Sequence, residues 1–136
     1  MHSDKQVFDS QESPFKGKRG LRRLINALWN SIEGFKAAYE FESAFRQVLL
    51  LAACMLPIAL FVPVTAVERV LLIGTVLGVL VVELLNSSVE AAVDRIGLEE
   101  HSMSKRAKDL GSAAVLISLV IVSVTWAVIL IPLVGR

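Results

Sequence analysis

Three acids and an amide share one stripe of a single apolar helix. Glu83, Asn86, Glu90 and Asp94 follow directly on the apolar run 70–82. At about 100° per residue they fall within about 80° of one another on a helical wheel. An ionisable side chain at the bilayer centre costs about 2.5–3.5 kcal/mol on insertion scales, so it normally faces a bundle interior or a watery cavity. Asp94, last in the row, also suits an ordinary solvated helix end; Glu83 lies too deep in the run for that. Carboxylates at a membrane boundary suit magnesium, a hard ion that takes oxygen ligands. Further on, Lys108 opens a third apolar segment, where the dipole of a helix N-terminus favours phosphate. The connection between the two segments is short, so the Glu90 and Lys108 levels should be close in height. Metal-holding acids, a cation and a base are the parts that phosphoryl transfer requires.

The residues alone leave the function open. No G-x-x-x-x-G-K-[ST] loop, protein-kinase motif set or His/Cys metal cluster is present. A non-catalytic ion or proton pathway would also use intramembrane acids, but it gives no reason for the Lys108–Asp109 pair. The chain is 54% hydrophobic with a net charge of +1, and it has no basic stripe interleaved with aromatics, which argues against a nucleic-acid partner. The single cysteine, Cys54, excludes an intrachain disulfide and reads as a small membrane-core residue.

The elements that must position these groups are all helical. Residues 1–18 read as a flexible polar tail. Over 19–42, Leu21, Leu24, Ile25, Leu28, Ile32, Phe35 and Tyr39 recur at three-and-four spacing beside Arg19, Arg22, Arg23 and Lys36, the pattern of an amphipathic helix lying in the lipid interface. A first span covers 43–64, with Pro57 inside it, Pro63 at its end and Arg46 able to snorkel to the surface. Thr65-Ala-Val-Glu68 fits a capping box opening a second helix over 66–96, which Gly97 ends. That helix is roughly 46 Å long, more than the hydrocarbon needs, so its acidic end must reach the interface. Gly74 and Gly78 lie nearly opposite the acidic stripe, which suggests a helix that packs with one side and does chemistry with the other. A loop over 97–103 leads to a third span over 104–134, with Ser102 or Ser104 as its cap. The fold class expected is therefore an all-α membrane protein: one interfacial helix and three transmembrane helices. Basic residues cluster before the first span and between the second and third, with only Arg69 and Arg136 on the other side. The positive-inside rule puts the N-terminus and the acidic end in the cytoplasm and the C-terminus outside.

The motif E-x-x-N-S-S-x-E-x-x-x-D, written here by Glu83, Asn86, Ser87, Ser88, Glu90 and Asp94, resembles the defining motif of the small bacterial integral-membrane diacylglycerol kinases. Arg95-Ile-Gly97, Arg106-Ala-Lys108-Asp109-Leu-Gly111-Ser112 and Glu42-Ser-Ala-Phe45-Arg46-Gln47 agree with it, and the resemblance runs without gaps from about Arg23 to Trp126. It implies an ATP-dependent lipid kinase of the bacterial inner membrane that converts diacylglycerol to phosphatidic acid. An undecaprenol kinase of the same family is the alternative. It further implies a homotrimeric bundle with sites shared between neighbouring subunits, and Mg²⁺ as cofactor. Glu83 matches the general base, next to the lipid hydroxyl. Glu42 and Glu90 match metal-binding acids that also meet the nucleotide. Arg23, Ser31, Asn86, Asp94, Lys108 and Asp109 match positions that contact nucleotide or organise the site. Glu99, Glu100 and His101 would touch ATP from the loop, and Ser112 matches a lipid-side position. For Asp109 a helix-dipole partner, and for Asn86 an interhelical hydrogen bond, are the purely structural alternatives. Two departures stand out: Val48 replaces an acid of the best-known relatives, and Leu28 and Trp29 are bulkier than their small residues.

Overall fold

A computed structural model of the chain describes residues 20–97 and 101–135. The described residues form four helices, α1 (Leu21–Phe41), α2 (Ser43–Phe61), α3 (Ala66–Ile96) and α4 (Ser102–Val134). The last three are long and apolar enough to cross a membrane. The fold is all-α. The expected tail, together with Arg19, Glu99, Glu100 and Arg136, lies outside the described residues.

The chain divides into two compact units at Phe35 and Lys36. Within the first, Leu21, Leu24, Leu28 and Trp29 are exposed. Within the second, α3 is the central element and packs against both α2 and α4. Ala52 and Ala59 of α2, Leu72, Val76 and Val79 of α3, and Val122 and Trp126 of α4 form the core. Lipid tails are as apolar as leucine, so burial alone does little to join these helices; close packing and hydrogen bonds must do it. The Trp126 indole N–H donates to the Leu72 carbonyl at 3.2 Å, a type of bond worth about 0.6 kcal/mol between membrane helices, with about 1.7 as the upper end.

Protein groups bridge the α2–α3 break. The Glu68 amide donates to Thr65 Oγ1, and the Thr65 amide donates to Glu68 Oε2 at 2.8 Å, completing the capping box. Arg69 then reaches back to the last carbonyls of α2, donating to Ala59 at 2.8 Å, to Val62 at 3.0 Å and to Leu60. The Ala59 carbonyl could not continue the helical ladder, because its partner four residues on would be Pro63, which has no N–H.

Two sequence expectations need correction. Among the described residues, nothing approaches Gly74 or Gly78, since a Cβ built at either would meet nothing within 4 Å. The packing side of α3 is instead the side of the acids: its buried residues are Leu72, Val76, Val79, Glu83 and Ser87, one continuous stripe. Neither Ser102 nor Ser104 caps α4. His101 is the N-cap, and its Nδ1 accepts from the Met103 amide at 3.2 Å.

Candidate active site

The site grows out of the core stripe. Above Leu72, Val76 and Val79, the same face of α3 presents Glu83, Asn86, Ser87 and Glu90, with Asp94 beyond them. Glu83 is 3% exposed, so neighbouring helices shield a carboxyl that the sequence places at the end of an apolar run. The carboxylates whose charge reaches it are those of Glu90 and Glu42. One turn farther along, Asn86 Nδ2 donates to Glu90 Oε1 at 2.9 Å, which leaves the second Glu90 oxygen to other partners.

The face of α4 that meets this stripe has the same period. Trp126, Val122 and Ser118 are buried, and the row continues upward through Val115 and Gly111 to Lys108. Gly111 sits directly against Asn86: a Cβ there would overlap Asn86 Oδ1 and lie 3.2 Å from its Cγ. The two helices therefore approach closely at the level of the site, through a residue with no side chain. Asn86 Oδ1 and Ser87 Oγ are buried and accept no hydrogen bond from the described residues. Above this level, Lys108 Nζ meets Asp94 Oδ1 at 2.7 Å. The pair is about half exposed, and such pairs add little stability; it leaves a cation next to Asp94 at the acidic end of the row.

Glu42 arrives by a different route. It is the single residue between α1 and α2, extended at φ −111° and ψ 108°, and its carboxylate makes no capping hydrogen bond. Asp109 and Ser112 are exposed on α4, off the Gly111–Lys108 row. Arg23 and Ser31 are exposed on α1 in the first unit, where the Ser31 hydroxyl donates to the Ala27 carbonyl at 2.9 Å. The structure thus brings together Glu83, Asn86, Glu90, Asp94 and Lys108, with Glu42 within electrostatic reach of Glu83. In the sequence Gly111 stands out only within the motif running from Arg106 to Ser112, and nothing there names its neighbour.

Among the described residues, no three His, Cys, Asp or Glu side chains gather as a ready-made metal cage. Magnesium seldom uses one; it takes one or two carboxylates and completes its shell with substrate phosphate and water. Glu42, unspent in its cap, and Glu90, with one oxygen unspent, fit that pattern.

A buried acid on one helix face with further carboxylates and, at the end of that row, a paired cation suits phosphoryl transfer at a membrane boundary. The sequence profile of the prokaryotic diacylglycerol kinases matches residues 29–130. The chain belongs to this family. It is similar to the diacylglycerol kinase of Pseudomonas aeruginosa, with 51% identity over 119 residues, covering 88% of this chain and 97% of that protein. The diacylglycerol kinase of Haemophilus influenzae is 49% identical over 111 residues, covering 82% and 94%. That of Escherichia coli K12 is 48% identical over 111 residues, covering 82% and 91%. Membership makes the chain a lipid kinase that uses ATP, and its three apolar helices make it a membrane protein.

Proposed function

We propose that the chain transfers the γ-phosphoryl group of ATP to the free hydroxyl of diacylglycerol, giving phosphatidic acid and ADP. The observation that carries this reading is the buried Glu83, on one stripe with Glu90 and about three turns below Asp94, which Lys108 meets. The lipid hydroxyl attacks the γ-phosphorus, the bond to the bridging oxygen of ADP breaks, and Glu83 takes the hydroxyl proton. Lys108, on the first turns of α4, holds phosphate oxygens, which requires it to share or exchange Asp94. Glu42 and Glu90 would hold magnesium, which would supply charge neutralisation at the phosphates. Asn86 fixes the rotamer of Glu90 through its amide. Arg23, Ser31, Asp109, Glu99, Glu100 and His101 keep the nucleotide-side roles, and Ser112 the lipid-side role, that the resemblance implies.

The acidic end and the N-terminus face the cytoplasm, a reading supported by the basic residues gathered before α2 and around the α3–α4 connection. The functional unit is a homotrimer; the uncontacted Gly74–Gly78 face supports a helix partner outside the chain. The name shared by the three relatives favours diacylglycerol over undecaprenol as acceptor. The test is purified protein in mixed micelles with labelled ATP and either lipid. Label in phosphatidic acid is expected. Label only in undecaprenyl phosphate overturns the acceptor, and label in neither overturns the kinase reading.

A further inference from the structure

Glu42 is held by a device that no role discussed so far requires. Its amide still donates to the Ala38 carbonyl at 3.0 Å, the last bond of α1, while its carbonyl accepts from the Arg46 amide at 3.3 Å, the first bond of α2. The extended backbone at Glu42 turns one helix into the next within a single residue. Such a break leaves the final carbonyls of α1 without helical partners. The Arg46 guanidinium takes them: Nη1 donates to Tyr39 O at 2.8 Å and to Glu40 O at 3.3 Å. Arg46 therefore grips both sides of Glu42, the far side with its side chain and the near side with its backbone. An arginine that merely snorkelled to lipid phosphate would point away from these carbonyls.

We infer that Arg46 is a positioning residue of the kinase site, fixing the α1–α2 break so that the uncapped Glu42 carboxylate is presented toward Glu83 and Glu90. This rests on the reading of Glu42 as a metal-holding acid. Arg46 acts only through Glu42, so its loss should loosen magnesium and leave the lipid site alone. A planar fork spans two carbonyls, whereas a lysine ammonium offers a point charge on a flexible stem, so Arg46→Lys should keep part of the effect.

The experiment titrates free magnesium at saturating ATP and diacylglycerol for wild type, Arg46→Gln, Arg46→Lys, Glu42→Gln and the double variant Arg46→Gln/Glu42→Gln. Arg46→Gln should raise the half-saturating magnesium concentration by about tenfold, the lower end for support of a metal ligand from outside its shell. Arg46→Lys should shift it less, and lipid KM should stay put. The double variant should be no worse than Glu42→Gln, because both changes remove the same interaction. A wild-type magnesium curve for Arg46→Gln, additive shifts in the double variant, or a loss confined to lipid KM overturns the proposal. If Arg46→Gln does not assemble, Arg46→Lys decides by the same criteria. An unshifted curve for Glu42→Gln removes Glu42 from the metal and the proposal with it, whereas a shifted Glu42→Gln with an unshifted Arg46→Gln removes only the proposal.

Discussion

Each end of α2 is a break spanned by an arginine from the turn that follows, yet the two breaks treat their acids in opposite ways. At the α2–α3 break Arg69 collects the carbonyls of Ala59, Leu60 and Val62, and Glu68 is used up in a complete capping box with Thr65. At the α1–α2 break Arg46 collects the carbonyls of Tyr39 and Glu40, but Glu42 stands in the N-cap position with its carboxylate unspent. Ser, Thr, Asp and Asn are the residues that cap well. A glutamate there forgoes helix stability, and what it gains is an acid that other groups can use. One junction spends its acid on the cap, and the other leaves its acid for the role proposed for Glu42.

The contrast breaks most visibly at the acid that the site buries. Glu83→Gln should lower turnover by about 10²–10⁴, the usual worth of a general base, with nucleotide binding and thermal stability little changed. Near-wild-type turnover under conditions where chemistry is rate-limiting would remove Glu83 from that role. Next comes a substitution that makes the α1–α2 junction resemble the α2–α3 one. Glu42→Ser should raise the half-saturating magnesium about 10- to 100-fold, while the new cap raises stability in detergent by about 1 kcal/mol. Loss of stability together with unchanged magnesium dependence would show that the two junctions do the same job.

Lys108→Met keeps the apolar stem and deletes the charge. It should raise ATP KM about tenfold, the scale of one charge-assisted hydrogen bond; unchanged ATP kinetics in an assembled protein would leave Lys108 as a partner for Asp94 and nothing more. Gly111→Ala pushes a methyl group into Asn86. Overpacking of this kind costs about 1–3 kcal/mol, and adding Asn86→Ala should recover much of that stability without restoring activity. A thermal unfolding curve for Gly111→Ala matching wild type would mean that the helices part there easily. The smallest effect is expected at the α2–α3 junction, where Thr65→Ala should cost about 1 kcal/mol of stability and leave the magnesium and ATP curves unmoved. A kinetic change from Thr65→Ala would erase the distinction between the two ends.

Features written within a few neighbouring residues were legible from the sequence. The capping box at Thr65 and Glu68 is a four-residue pattern, and both of its hydrogen bonds are present. The apolar periods were enough for the all-α fold class, and the acidic row was enough to single out one face of α3. What stayed hidden depends on which helix lies across from which face. A wheel shows that Gly74 and Gly78 oppose Glu83, but it cannot say which side the rest of the chain covers; the chain covers the acid side. The same limit hid the pairing of Gly111 with Asn86. Arg46 has a stem long enough to reach lipid or to fold back, and only the one-residue break at Glu42 makes the second course the better bonded. At α4, two serines stand where serine caps well, yet the backbone places His101 at the boundary.

Because α3 runs unbroken from Ala66 to Ile96, its core half and its acidic half share one angular phase. Inserting a single residue between Val79 and Glu83 would advance everything above it by about 100°. Glu83, Asn86 and Glu90 would then swing away from Gly111 and Lys108 toward lipid, although every side chain of the site would still be present. The number of residues between core and acids is thus a functional quantity in its own right. Length changes there can be absorbed only in steps near a whole number of turns, and a chain altered by one residue would keep its composition, its spans and its motif while losing its register.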